Sequence, residues 1–204
     1  SEVREVVGLG DFPGPLLAGR VLDFDMGAFD VLNLETQGFN ADFTGTVVTS
    51  NGGVSVFTGS EASDAPRFDD VGNRQCCADH LEEQLFPTNT LGLRFFIGRT
   101  PPRSTALNAA FVTADSVGNF NEPEYVRVVA VEEGTTTVTT SIPFIPGPDF
   151  FELQQYESII IQADQDFFMQ ADKRLAVVQV MASQQATGIA NMYPGGDPSL
   201  IAIP

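Results

Sequence analysis

The chain has 204 residues, with 27 acidic side chains against 10 basic ones and a formal net charge of −17. That length suits one large domain or two small ones, at roughly 100–200 residues each. The charge opposes docking on phosphate backbones and on anionic lipid, so nucleic acid is not an expected partner. Hydrophobic residues make up 43 % and phenylalanine dominates the aromatics, enough to fill a core. No apolar run approaches the roughly 18 residues of a membrane-spanning helix, so direct membrane insertion is not expected. Glu2, Arg4 and Glu5 interrupt any apolar signal core at the start. The expected origin is therefore the cytosol or the mature part of an exported protein.

In chain order, short runs rich in Val, Ile, Phe and Thr alternate with Gly, Pro, Asn and Asp. They predict strands at Val3–Leu9, Arg20–Phe24, Phe29–Leu34, Phe43–Thr49 and Val54–Thr58. The Asn51-Gly52-Gly53 turn between the last two reads as a hairpin, because Asn and Gly tolerate positive φ. At the end of the second of these segments, Asp23-Phe24-Asp25-Met26-Gly27, with Asp30 beyond, has the alternating carboxylates of a calcium loop. On a strand the same residues would point into solvent. No cofactor is expected; calcium is a candidate at Asp23, Asp25 and Asp30, and a second candidate set is Asp64, Asp69 and Asp70 in the loop before the helix expected over 78–85.

Cys76 and Cys77 are the only cysteines. Adjacent Cα atoms stand about 3.8 Å apart, below the usual disulfide span, so a bridge between them is a strained ring. Redox activity, a locked conformation, two reduced thiols and intermolecular pairing all stay open. Next, the Ala78, Leu81, Leu85 spacing predicts one short helix over 78–85. Asp79 would cap it, Glu82 would complete a capping box, and Pro87 would end it. On that helix Asp79, His80, Leu81, Glu83 and Leu85 form a structural clasp, with Leu81 and Leu85 turned to a sheet. His80, the only histidine, would stand one turn from Glu83 as an HxxE metal pair, although no spacing motif supplies further ligands.

Further strands are predicted at Leu93–Gly98, Ala109–Ala114, Tyr125–Glu132 and Thr135–Thr140, with a hairpin turn at Glu132-Glu133-Gly134 joining the last two. Pro143, Pro146 and Pro148 break any ladder before Phe150–Leu153. Ser158–Gln162, Phe167–Gln170, Ala176–Met181 and Leu200–Ile203 complete the set. Many short strands at this spacing predict an all-β, sandwich-like two-sheet fold with one short helix. Residues 27–63 and 154–186 share an order of aromatic, acid, strand, Asp-Phe, strand, turn and strand. The chain therefore reads as one domain over 1–204. A duplication would make it two similar β units, about 1–63 and 125–186, joined by a loop-helix segment 64–92.

Val54–Gly59 (VSVFTG), Cys77–Gln84 (CADHLEEQ) and Leu91-Gly92 are followed by Tyr125–Ala130 (YVRVVA) and Glu133–Val138 (EGTTTV). Leu175–Val180 (LAVVQV) and Gly195–Ser199 (GGDPS) close the series. In this order the chain resembles the N-terminal domain of the IgG Fc-binding protein family, in particular its bacterial, surface-associated relatives, from about Gly27 to Pro204. The resemblance implies a non-catalytic extracellular or cell-surface binding or assembly module. Relatives often carry a cysteine after the VFTG-like strand, where this chain has Ser60-Glu61-Ala62-Ser63. A structural subunit of a surface layer, fibre or appendage stays open, as does a metal-dependent hydrolase using His80. The expected partner is a protein, or a second copy reached through exposed strand edges.

Overall fold

The structure, a computed structural model, describes residues 2–6, 19–37, 41–66, 77–111, 118, 121–143 and 149–204. The chain divides into two compact units, Ser1–Thr46 and Val47–Pro204. In the first, strands β1 (Glu2–Val6) and β2 (Leu34–Gln37) pair antiparallel. The strands expected at Arg20–Phe24, Phe29–Leu34 and Phe43–Thr49 do not form. Instead, a turn closes where the Thr46 N–H donates to the Phe43 carbonyl at 2.9 Å, with Gly45 at φ 90°. Asp42 stabilises it by accepting from the Thr44 N–H at 2.8 Å, the short-range bond that draws Asp away from strands.

Among the described residues, the second unit is all-β apart from one short α-helix and carries ten strands. β3 (Phe57–Ser63) pairs with β4 (Asp79–Gln84). β5 (Arg94–Ile97), β10 (Phe167–Ala171), β7 (Thr136–Thr140) and β8 (Phe150–Leu153) form one four-stranded sheet in that order. β12 (Ser199–Ile203), β11 (Leu175–Met181), β6 (Glu124–Ala130) and β9 (Ser158–Ala163) form the other. All pairings are antiparallel. Burial alternates strictly along β6, β7 and β10, so each sheet buries one face. A single core joins the two faces. Phe95, Ile97, Val138, Leu153, Phe167 and Met169 come from one sheet, and Val126, Val128, Ile161, Leu175 and Val177 from the other.

β5 pairs with β10, β6 with β9, and β7 with β8. This nesting is that of a long hairpin rolled into two sheets, as in a jelly roll. The turn expected at Glu132-Glu133-Gly134 forms, with Gly134 at φ 81°, but it carries the chain from one sheet to the other and makes no hairpin.

The helix expected over 78–85 is a strand. Leu81 is buried while His80 and Glu82 are exposed, the alternation of a strand and not a helical stripe. Gly59 of β3 explains the outcome. A Cβ there would sit 2.3 Å from the Leu81 carbonyl oxygen, so glycine lets the two backbones close into a ladder. The one α-helix among the described residues, α1, is Arg103–Ala110, overlapping the strand expected at Ala109–Ala114. Substituting Gly59 by Ala is expected to destabilise the second unit by about 1–3 kcal/mol through backbone displacement. Phe167→Ala is expected to cost about 3–5 kcal/mol through a core cavity. Urea unfolding of each variant checks both.

Candidate functional site

The most constrained polar cluster lies where β6 begins. α1 follows Pro101-Pro102 and has no side-chain cap of its own. Its first turn is satisfied from a distance: Glu122 Oε1 accepts the Ser104 N–H at 2.7 Å. Glu122 Oε2 accepts from Arg103 Nε at 3.0 Å, with both side chains largely enclosed. The same guanidinium donates to the Ala182 carbonyl at 2.7 Å and the Gly195 carbonyl at 3.1 Å. One ion pair thereby ties α1, the entry to β6, the end of β11 and the turn before β12. Burial alone would raise the Glu122 pKa. The Ser104 N–H, the Arg103 guanidinium and the Arg103 main chain outweigh burial and hold the carboxyl below its ordinary value.

Beside it, Glu124 is buried and accepts from the Thr100 N–H and hydroxyl and from the Gln179 amide. Gln179 also donates to the Gly98 carbonyl at 2.9 Å. Arg99 donates from Nη1 to Asn121 Oδ1 at 3.1 Å and from Nη2 to the Glu122 carbonyl at 3.2 Å. These acids are engaged by fixed internal donors, and their arrangement is that of a brace. Sequence reading passed over all of them. The signals were the Pro-Pro before an uncapped helix and two acids, Glu122 and Glu124, bracketing Pro123 at a strand start.

The residues singled out in the sequence fall elsewhere. His80 is exposed, and its Nε2 lies 3.3 Å from Glu82 Oε2. Because the segment is a strand, His80 and Glu83 lie on opposite faces, so the HxxE pair does not assemble. Asp79 Oδ1 accepts from the His80 N–H at 2.8 Å and caps no helix. Leu81 is buried, whereas Leu85, just past the end of β4, is 41 % exposed, so the two are not buried together. Cys77 is disulfide-bonded. Its one partner available within the sequence, Cys76, lies outside the described residues. Asp23, Asp25 and Asp30 are exposed, and Asp30 Oδ2 accepts from the Gly27 N–H at 2.7 Å within its own turn. Among the described residues, no group of three or more His, Cys, Asp or Glu converges as a metal site.

Exposed aromatics gather on one sheet face. On the outer face of the β5-β10-β7-β8 sheet, Phe96 and Phe168 stand directly opposite in register. Their ring centroids are 5.0 Å apart, and they are 56 % and 64 % exposed. Phe150, opposite Thr139 on the same sheet, is half-exposed. Thr137, Thr139, Gln170 and Asp172 line a shallow groove next to them.

The chain belongs to the IgGFc binding protein family. The family's model matches residues 4–204. Comparison with curated proteins and with solved structures finds no match. Membership in this family makes the chain a member of a binding-protein family and points to a protein partner. No described helix is long and apolar enough to cross a membrane.

Removing one partner of the enclosed pair, as Glu122→Gln or Arg103→Met, is expected to cost about 3–5 kcal/mol near neutral pH. Because folding lowers the Glu122 pKa, its contribution is complete above the ordinary carboxylate pKa of about 4.3. The contribution is lost as pH falls through the lowered folded value. The gap in melting temperature between wild type and Glu122→Gln is therefore expected to be widest near neutral pH and to close under acid. Thermal scans across pH measure it.

Proposed function

We propose that this member of the IgGFc binding protein family is a non-catalytic binding or assembly module of the extracellular space or cell surface. The observation that carries the reading is the exposed Phe96–Phe168 pair on an otherwise regular sheet face. Contiguous exposed aromatics mark contact surfaces, whereas the ordered acids here are turned inward as a brace. Family membership supports a protein as partner.

Immunoglobulin Fc is not the main partner in this reading. A tight interface has a desolvated centre typically rich in Tyr, Trp and Arg. This chain has no Trp and three Tyr, and its net charge is −17. Tyr125 is partly buried, and burial raises its hydroxyl pKa. A basic protein surface, another domain of the same polypeptide or a second copy fits the charge and the exposed strands better.

Surface plasmon resonance against Fc at physiological salt is expected to show no saturable submicromolar binding; such binding would reassign the partner and leave the binding role standing. Metal-stimulated hydrolysis of ester or peptide probes, abolished by His80→Ala, would overturn the non-catalytic reading.

A further inference from the structure

Four strands end the two four-stranded sheets, and three of them are guarded. β12 has β4 alongside it. β5 and β8 are four residues long and carry Arg94 and Glu152. β9 differs. It spans six residues, SIIIQA, with no charge and no proline, and among the described residues its only ladder partner is β6. Edge strands are normally blunted by charge, proline or a cover, and this one carries neither of the first two.

The phase of the ladder shows what that edge offers. The Ala130 N–H donates to the Glu157 carbonyl at 3.1 Å, and the register runs on from there through Val128↔Ile159 and Val126↔Ile161. In an antiparallel ladder alternate residues bond the neighbour. Ile159, Ile161 and Ala163 therefore turn their main-chain groups to β6, and Ser158, Ile160 and Gln162 turn theirs outward. All three outward residues are exposed, with Ile160 at 40 %. Among the described residues, no hydrogen bond outside the ladder reaches their main-chain groups.

Acids flank the edge. Glu157 precedes β9, and Asp164 and Asp166 follow it. Glu157 accepts from the Gln154 N–H, Asp164 from the Asn121 amide and Asp166 from the Arg99 N–H. Each is thus held in place by a neutral N–H. A two-fold pairing of β9 with a second copy would bring Glu157 of one chain alongside Asp164 of the other, at −17 per chain. Charge complementarity selects a different occupant.

We infer that the outer edge of β9 takes up an extended, lysine- or arginine-bearing segment of a partner protein as an added antiparallel strand. Main-chain bonds to Ser158, Ile160 and Gln162 supply the pairing, and the flanking acids select the charge. This inference rests on the binding role proposed above and names its site and the class of its partner.

The test uses the whole chain and two fluorescent peptides, one alternating Lys and Val, the other Glu and Val, read by anisotropy. The Lys peptide is expected to bind saturably and to weaken steeply as salt rises from about 0.01 M to about 1 M. The Glu peptide is expected not to bind. Ile160→Pro removes only an outward N–H, so the β6–β9 ladder remains, and affinity is expected to fall about tenfold or more. Gln162→Lys, which leaves the main chain intact, is expected to weaken the Lys peptide by charge alone. Amide exchange at Ile160 and Gln162 is expected to slow on binding. Binding that Ile160→Pro leaves unchanged, or that leaves exchange at these amides unchanged, overturns the edge assignment while the binding role stands. Absence of Lys-peptide binding, or equal binding of the Glu peptide, overturns the basic-strand partner. Failure of the non-catalytic reading is read separately, in the hydrolysis assay above.

Discussion

The two four-stranded sheets of the second unit share one dry core, and the placement of each of their strands follows from it. Phe167 and Met169 on one sheet and Val126, Val128, Leu175 and Val177 on the other are all but fully buried. Because side chains alternate along a strand, burying these residues fixes which residues face out. A one-residue slip of β10 would bury Gln170 and expose Met169. The nested pairing then follows from joining strands that alternate between sheets by connections as short as Asp164–Asp166 and Asp172–Arg174. The same constraint leaves Phe96, Phe168 and Ile160 on the surface, since each is one step out of phase with the core.

A buried core cannot by itself close the end of the sandwich where α1 and the last turns meet. That task falls to Arg103 and Glu122. The guanidinium reaches main-chain carbonyls at Ala182 and Gly195, which no apolar side chain could satisfy. The carboxylate supplies the helix start with an acceptor that the residues before it, both proline, cannot give. The brace makes structure out of groups that would otherwise look catalytic. This is why the functional reading turns to the surface, and there to an aromatic pair and an unguarded strand edge.

Membership in a binding-protein family is consistent with that division of labour. The two surface features lie on different sheets, the Phe pair on the outer face of one and the open edge on the other. Neither uses the chain's single histidine or the acids of the brace. A contact that adds a strand draws on main-chain groups, which tolerate side-chain variation.

The strands from Leu93 onward were legible because their patterning is local. β-branched and aromatic residues alternate or cluster there, and turn residues separate them. The family resemblance was legible for the same reason, since it lies in the order of those segments. Three features were not local, and only the tertiary structure decided them. DHLEEQ satisfies helical and strand spacing alike, and the choice fell to Gly59, some twenty residues upstream, whose missing side chain admits the ladder. RSTALNAA carries no cap in its own sequence, and its helix starts because Glu122 arrives from beyond it. Ser158–Ala163 reads as an ordinary strand, and nothing in its residues says whether one neighbour or two will pair with it. Sequence determined that this segment is a strand and which of its faces is apolar. Only the order of strands in the sheet, a property of the fold, leaves its other edge without a ladder partner among the described residues.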